Sequence, residues 1–549
     1  MKGLVYDSAS KVSLPFATVI DLSTNIATIT NAEGYFELNI QSTADTIEIS
    51  YLGYKKRRIE TISRTKDYRI GLEANTFNLN TIEVFPKNYG FIYDLILAAK
   101  EKQSKKIKDA KVYYQLKSFI DGSQIELVEN FYNARIQGYD LLSLALKTGR
   151  LGLKKSKDSY FASLESSKPI KMHRLFSESD YFPYSPLEFN KKKMKKNYSL
   201  DLEKAYLDEN KDSILIVHFF PKKGKLLHFD TRVWINASDT NLIKIELEGK
   251  DILKFPLAPI FYEDELSDIN LKITKSFEEF NGELFFKHIN FNYDFKYKKG
   301  YGDSFRVKTE AVLFSYDYDQ TFKLPMTNLN NSKLTDYQKL SAMPYNDFFW
   351  NQNDELRLHY EVDSNEIFMQ DELTISNLRE LNTFTNELSA FFNYPILRWA
   401  KNRFSLKELP QNKSFVIGQP NYKFKTQLYL DYNEYNDSID IQTQSIFDVY
   451  SSYYRYYIDN ETVCFMNMYF DLVELERRSL ESKIEASDKS WGTINRLYSE
   501  SQLNLKRVLS DYLDEVGLGK NQEEMRLWND LISKKLKIDN ISTFKLYEE

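Results

Sequence analysis

A chain of 549 residues exceeds what one hydrophobic core can organise and points to about three or four domains. Hydrophobic residues make up 42% and charged residues 28%, a globular composition that excludes an intrinsically disordered chain. Lys and Arg total 74 against 79 Asp and Glu, and a net charge of −5 argues against the basic footprint of a nucleic-acid binder. The single cysteine, Cys464, excludes an internal disulfide and a cysteine-based metal cluster. Its apolar setting, Val463-Cys464-Phe465-Met466, predicts a buried, unreactive thiol. No run of ~18 apolar residues occurs, so no transmembrane helix is expected.

From Lys2 to Val84, short runs rich in Val, Ile, Tyr, Phe and Thr alternate with turn residues. That is the pattern of a small antiparallel sandwich of transthyretin or immunoglobulin type. Asn31 to Gly34 reads as a turn, after which Tyr35, Glu37 and Asn39 alternate with Phe36, Leu38 and Ile40. The order Gly3-x-Val5-x-Asp7, Pro15-x-Ala17-Thr18-Val19, Gly34-x-Phe36, Ile49-Ser50-x-Leu52-Gly53-Tyr54 and Ile82-x-Val84 resembles the carboxypeptidase-regulatory-like domain. The resemblance implies a β-sandwich module at 1–86. Such modules commonly stand at the front of exported outer-membrane proteins of Bacteroidota, so it also implies a periplasmic, outer-membrane-associated chain. Met1 leads almost directly into the first strand, so the resemblance further implies an export segment, with or without a lipoprotein cysteine, ahead of residue 1.

Beyond Phe85-Pro86 the pattern changes. Tyr89 to Ile107 reads as a helix with Ile92, Leu95, Ile96 and Ala99 on one face. Lys111 to Phe119 and Gln124 to Gln137 read as a strand pair across the Asp121-Gly122 turn. Residues 140–200 carry little pattern, and the lysine run Lys191 to Lys196 reads as a solvated loop in preference to a contact for anionic lipid headgroups. Strand signals return at Ser213–Phe220, Leu226–Ile235, Leu242–Glu248, Ile269–Glu279, Leu284–Tyr297 and Phe305–Tyr316, with hairpin turns at Ala237–Asn241 and Asn281-Gly282. Together with one helix, 87–323 is expected to form an antiparallel curved, half-barrel-like sheet. Phe229 to Asn236 followed by Leu242 to Glu246 is similar to the strand pair of lipoprotein-carrier (Lol-type) half-barrels.

Residues 324–410 mix polar loops with short helical pieces and read as a connecting wrap, whose aromatic run Met343 to Trp350 should pack against the sheet. The remainder, 411–549, reads as a helical bundle. Phe465, Tyr469, Leu472, Val473, Leu480 and Ile484 share one face, and Glu474 is set to pair with Arg478. A second helix runs from Ile494 to Val516 and stops at Gly517 to Gly519; a third starts at the Asn521-x-x-Glu524 cap. A membrane β-barrel is not expected, because the C-terminal half turns helical.

The regulatory-domain resemblance invites a search for a zinc carboxypeptidase, and none is found. His173, His218, His228, His288 and His359 include no H-E-x-x-H, and the proximity of His218, His228 and His288 in neighbouring strands reads as chance. Nucleophile-elbow, P-loop and dinucleotide signatures do not occur. The acidic group Asp431, Asn433, Glu434, Asp437 and Asp440 does not fit a calcium loop and reads as solvated. No catalytic residue, cofactor or metal is therefore assigned. The expectation is a mixed multidomain chain: N-terminal β-sandwich, middle antiparallel curved sheet with one helix, and C-terminal α-helical bundle. Its expected role is non-enzymatic binding or scaffolding beside an outer-membrane protein or complex. The alternatives are a carrier of an apolar ligand inside the half-barrel and, third, a hydrolase with unrecognised carboxylates.

Overall fold

The structure, a computed structural model, describes residues 1–23, 27–31, 33–38, 46–51, 53–60, 67–74, 89–153, 161–208, 211–222, 225–259, 261–300, 304–327, 334–353, 396–400, 403, 421–435, 438–448 and 452–547. They fall into two units. One holds residues 1–322 with 349–353, the other 323–348 with the described residues from 396 onward. No helix among the described residues is long and apolar enough to cross a membrane.

The first unit opens with β1 (Lys2–Asp7), β2 (Thr18–Asp21), β3 (Ala27–Ile29), β4 (Tyr35–Glu37), β5 (Thr46–Ser50), β6 (Arg57–Glu60) and β7 (Asp67–Leu72). They make two sheets, β4-β1-β7 and β3-β2-β5-β6, closed over Val5, Val19, Phe36, Ile47, Ile49, Ile70 and Leu72. The antiparallel reading needs one correction, since β1 and β7 run parallel. A parallel pair requires a long crossover, and the second sheet supplies it. The turn before β4 forms as expected: Asn31 Oδ1 accepts from the Glu33 and Tyr35 amides, both at 3.0 Å. Gly34 sits at φ +84°, where a Cβ would meet the Val5 carbonyl at 2.7 Å, so glycine is required there. Asn39, Ile40, Leu52 and the Ile82-x-Val84 pair lie outside the described residues.

Next comes α1 (Gly90–Lys102), then a ten-stranded antiparallel curved sheet. Its strands are β8 (Ile107–Ile120), β9 (Ser123–Gln137), β10 (Asp140–Leu153), β11 (Tyr198–Leu207), β12 (Ser213–Pro221), β13 (Asp230–Asn236), β14 (Leu242–Gly249), β15 (Glu265–Phe280), β16 (Glu283–Lys298) and β17 (Ser304–Tyr318). Their spatial order is β10-β9-β8-β17-β16-β15-β14-β13-β12-β11, so β8 pairing with β17 is the one junction between non-consecutive strands. The predicted turns are real. Asp121-Gly122 takes φ values of 51° and 80°, and Asn281-Gly282 takes 52° and 76°. Two left-handed residues give the turn a twist that matches the strands it joins.

Two readings of residues 140–200 are corrected. Asp140–Leu153 is a full edge strand that hides because its C-terminal half is buried on both faces, so no alternation shows. The lysine run is not a loop but the helix α3 (Lys191–Asn197), whose start is capped by Asn190 Oδ1 accepting from the Lys193 amide at 2.9 Å; only Met194 faces inward.

One face of the sheet carries Phe219, Thr231, Leu247, Ile273, Phe291, Ala311, Leu116 and Val128 in register. It is covered by α1 and by the segment 161–197, which includes α2 (Lys168–Met172) and α3. Tyr93 of α1 meets Phe219 edge-on, and Phe182 does the same to Phe291. The opposite face is covered at β16 and β17 by Phe16 of the N-terminal module, against His288 and Phe314. At β9 it is covered by Phe349 and Trp350, against Phe131.

In the second unit, helices Asn460–Glu485, Trp491–Val516 and Gln522–Leu536 pack as the periodicity predicts. Glu474 accepts from Arg478 Nε at 2.9 Å, Gly517 ends its helix in the left-handed region, and Asn521 caps the next. The bundle is not purely helical. A hairpin, Thr426–Tyr435 with Ser438–Asp448, turns Leu428, Leu430, Tyr432 and Phe447 into the same core.

Candidate binding surface at one end of the sheet

The histidines do not converge. His218 places Nδ1 at 2.9 Å from Glu203 and Nε2 at 2.5 Å from Asp230 on the outer part of the sheet. His228 is wedged among the rings of Tyr184, Phe189 and Tyr198. His288 bonds Ser276 Oγ, and burial pulls its pKa down to about 3. His173 is buried with its pKa held well below the usual value, by desolvation first and by Lys275 second. His359 lies outside the described residues. Among the described residues no group of three or more His, Cys, Asp or Glu side chains is placed to hold a metal. Burial drives the Cys464 thiol up to about 12, as its apolar setting predicts.

The acidic group is corrected. Asp431 and Asn433 are buried on the second face of the hairpin, not solvated. Asn346 Nδ2 bridges Asp431 and Asp440 at 3.3 and 3.0 Å, and Gln442 donates to the Tyr345 carbonyl. A polar strand face is thus covered by a polar segment. Asp437 is outside the described residues.

Two buried charges on the covered face of the sheet hold its lid in place. Lys275 donates to the His173 carbonyl at 2.9 Å and lies 3.7 Å from Asp140; burial lowers its pKa to about 8 against the pull of that carboxylate. Glu126 accepts from Ser118, the Ser163 amide and Ser163 Oγ at 2.7–2.9 Å, while burial raises its pKa. Both are satisfied by the 161–197 segment and tie it to the strands.

The unbalanced part of the unit is the end of the sheet where β12 turns to β13 and β14 to β15. The connection Asp251–Asp264 reads DILKFPLAPIFYED, and its two prolines offer no amide hydrogen. It is pinned at three points. The Ile252 amide donates to the Ile269 carbonyl at 2.9 Å, Phe255 packs on Tyr293 and Phe295, and Asp264 accepts from Tyr297 and from the Gly300 amide. Anchoring these residues leaves Leu253 69% and Tyr262 93% exposed, although both are apolar enough for a core. Neighbouring Tyr181, Leu226 and Leu227 are also exposed.

A closed chain of contacts places the lysine helix at this same corner. Lys222 donates to the Lys195 carbonyl, Lys193 pairs with Glu178, Lys254 donates to the Ser179 carbonyl, and the Leu253 amide donates to the Leu226 carbonyl. The lysine run stands out in the sequence, whereas the apolar loop beside it does not. The signal was available, since a fourteen-residue connection this rich in Leu, Ile, Phe and Tyr is unusual for a surface loop.

Beneath that corner Glu188 caps its own turn, accepting from the Ser185 amide at 3.0 Å. Burial raises its pKa to about 8, reinforced by Glu178 and opposed by the Ser185 amide, Lys254 and Lys100. The folded state therefore holds a proton that the unfolded chain releases near 4.5, and the stabilisation present below pH 4.5 is lost as pH rises toward 8. Glu188→Gln should flatten this slope. Urea midpoints at pH 5 and pH 8 should differ less in the variant than in the parent, and an unchanged difference would refute the assignment.

Residues 1–84 match the family model of the CarboxypepD_reg-like domain. No curated protein matches the chain. Among solved structures, the middle region is similar to a LolA superfamily protein from Nitrosomonas europaea (11% identity, 42% of this chain and 92% of that one, TM-score 0.17). It is similar also to a putative outer membrane lipoprotein-sorting protein domain from Vibrio parahaemolyticus (11% identity, 48% and 98%, TM-score 0.18). A third similar structure is MucB in complex with MucA (7% identity, 41% and 94%, TM-score 0.15). Overlaps this low say nothing about what this chain binds.

Proposed function

We propose that the chain is a non-enzymatic binding and scaffold component of the periplasm, acting at the outer membrane, and that the apolar end of its sheet is the contact surface. The observation that carries this is the pinned loop Asp251–Asp264, which holds Leu253 and Tyr262 in solvent while Ile252 and Phe255 bind it to the sheet. Single exposed apolar residues are ordinary, so the reading rests on Leu253 and Tyr262 standing exposed together with Tyr181, Leu226 and Leu227 at this end of the sheet. The location rests on the CarboxypepD_reg-like module at 1–84, whose resemblance implies export toward the outer membrane. The carrier reading is less well supported. Phe182 stands over Phe291, where an acyl chain would have to lie, and Leu187 and Met194 of the same covering segment are buried.

The test is fractionation of the native cell envelope with a photo-crosslinker at Leu253 or Tyr262, and at Lys211 on the opposite end of the sheet as control. Adducts should form at the first two positions and not at Lys211, and Leu253→Ser with Tyr262→Ser should release the protein from the outer-membrane fraction. Equal labelling at both ends, or unchanged fractionation of the double variant, would overturn the reading.

A further inference from the structure

We infer that this end of the sheet rests on a lipid bilayer bearing anionic headgroups, an inference that builds on the contact surface proposed above. The chain as a whole is acidic, at −5, yet α3 presents Lys192, Lys193, Lys195 and Lys196 to solvent within one and a half turns, and Lys222 joins them through the Lys195 carbonyl. Two acids pair with the helix, Asp94 with Lys191 and Glu178 with Lys193. Positive charge is therefore concentrated on α3 against the sign of the molecule, while Asp180, Asp251 and Glu263 stand exposed on the neighbouring loops and Glu265 at the start of β15; α3 is the part that turns toward a negative surface.

Charge alone would suit any anionic partner. The second observation is what projects from the connections next to α3. Leu226, Tyr181 and the pair Leu253 and Tyr262 project from three separate connections, with Tyr262 at 93% and Leu253 at 69% exposure. An acidic protein would meet such a rim with a matching pocket for each tip. A bilayer accepts all of them at once, because its interfacial zone has no fixed shape and takes Tyr rings and Leu side chains at the depth of the headgroups. Lysine stems are long enough to reach phosphates while the tips insert. The same loop is pinned by Phe255 and Asp264, so insertion requires little ordering of the backbone.

The test uses the purified whole chain and flotation with vesicles of phosphatidylcholine alone or mixed with phosphatidylglycerol. Binding to the mixed vesicles should exceed binding to the neutral ones by about tenfold or more and fall with added salt. Lys192→Glu, Lys195→Glu and Lys196→Glu combined should abolish that preference. Leu253→Ser with Tyr262→Ser should weaken binding while leaving the preference for anionic vesicles. A dye attached through Tyr262→Cys should shift to the blue on anionic vesicles, and Cys464, being buried, should not compete for the label. Absence of binding, equal binding to both vesicle types, or insensitivity to the lysine reversals would overturn the inference. If the crosslinker at Tyr262 still reports a protein neighbour in cells while vesicles are ignored, the surface assignment stands and the lipid assignment falls. If both experiments fail, both fall.

Discussion

Arg150→Met should lower the stability of the first unit by about 3–5 kcal/mol, because it leaves a carboxylate inside the protein without its counter-ion. Glu129 is fully buried in β9, and Arg150, on the adjacent edge strand, closes on it through both Nε and a terminal nitrogen. Tyr113 Oη donates to the same carboxylate at 2.5 Å and Gln115 at 3.4 Å, while the guanidinium lies 4.7 Å from the centre of the Trp350 ring. Removing the arginine strands the charge and strips the indole of its partner. The loss should appear as a lower urea midpoint followed by Trp fluorescence. Pairing Arg150→Met with Glu129→Gln should cost clearly less than the sum of the single changes. A loss under about 1 kcal/mol for Arg150→Met would show that the pair is screened as a surface bridge is.

Asp471→Ala is expected to be comparably severe in the second unit, about 3–5 kcal/mol. Asp471 is fully buried in the helix Asn460–Glu485 and accepts from Trp399 Nε1 at 2.7 Å, from Arg403 at 2.8 Å through both oxygens, and from Asn540 Nδ2 at 2.7 Å. One carboxylate thus joins the helix to the 399–403 stretch and to the last helical turn. Asn540 is held a second time, its amide donating to Asn529 Oδ1 at 2.9 Å. Losing the anchor should therefore expose the end of the chain first. Hydrogen exchange should rise over residues 538–546 before it rises elsewhere in the helices, and uniform protection in the variant would refute the assignment.

Much of the architecture was legible because it was written in local chemistry. Asn281-Gly282 and Asp121-Gly122 can hardly be anything but hairpin turns, and Phe465 to Ile484 repeats at helical spacing. What stayed hidden was decided by tertiary context. Asp140–Leu153 shows no alternation because Lys147 and Arg150 are buried against Phe349 and Trp350, partners far away in the chain. Lys191–Asn197 is helical through its Asn190 cap and one inward methionine, too little pattern to read in a run of like charges. Asp431 looked solvated because the Asn346 amide that donates to it and to Asp440 arrives from elsewhere, and Asn433 is buried with it, donating to the same carboxylate. The proposed contact surface was half visible. Its lysines were read, but their nearness to Leu253 depends on hydrogen bonds between three separate loops.

The junction between β8 and β17 has a consequence for when the molecule can become itself. Ile120 faces Val307 across it, so β8 and its two successors wait with a bare edge until almost the last strand has left the ribosome. Closing so long a loop is slow, and an unpaired edge in the interval invites pairing with other chains. The sheet therefore cannot close until β17 has been made, although most of the second unit is still to follow it. Closure waits for residue 318, and until then the free edge of β8 is the part of the sheet most open to pairing with another chain.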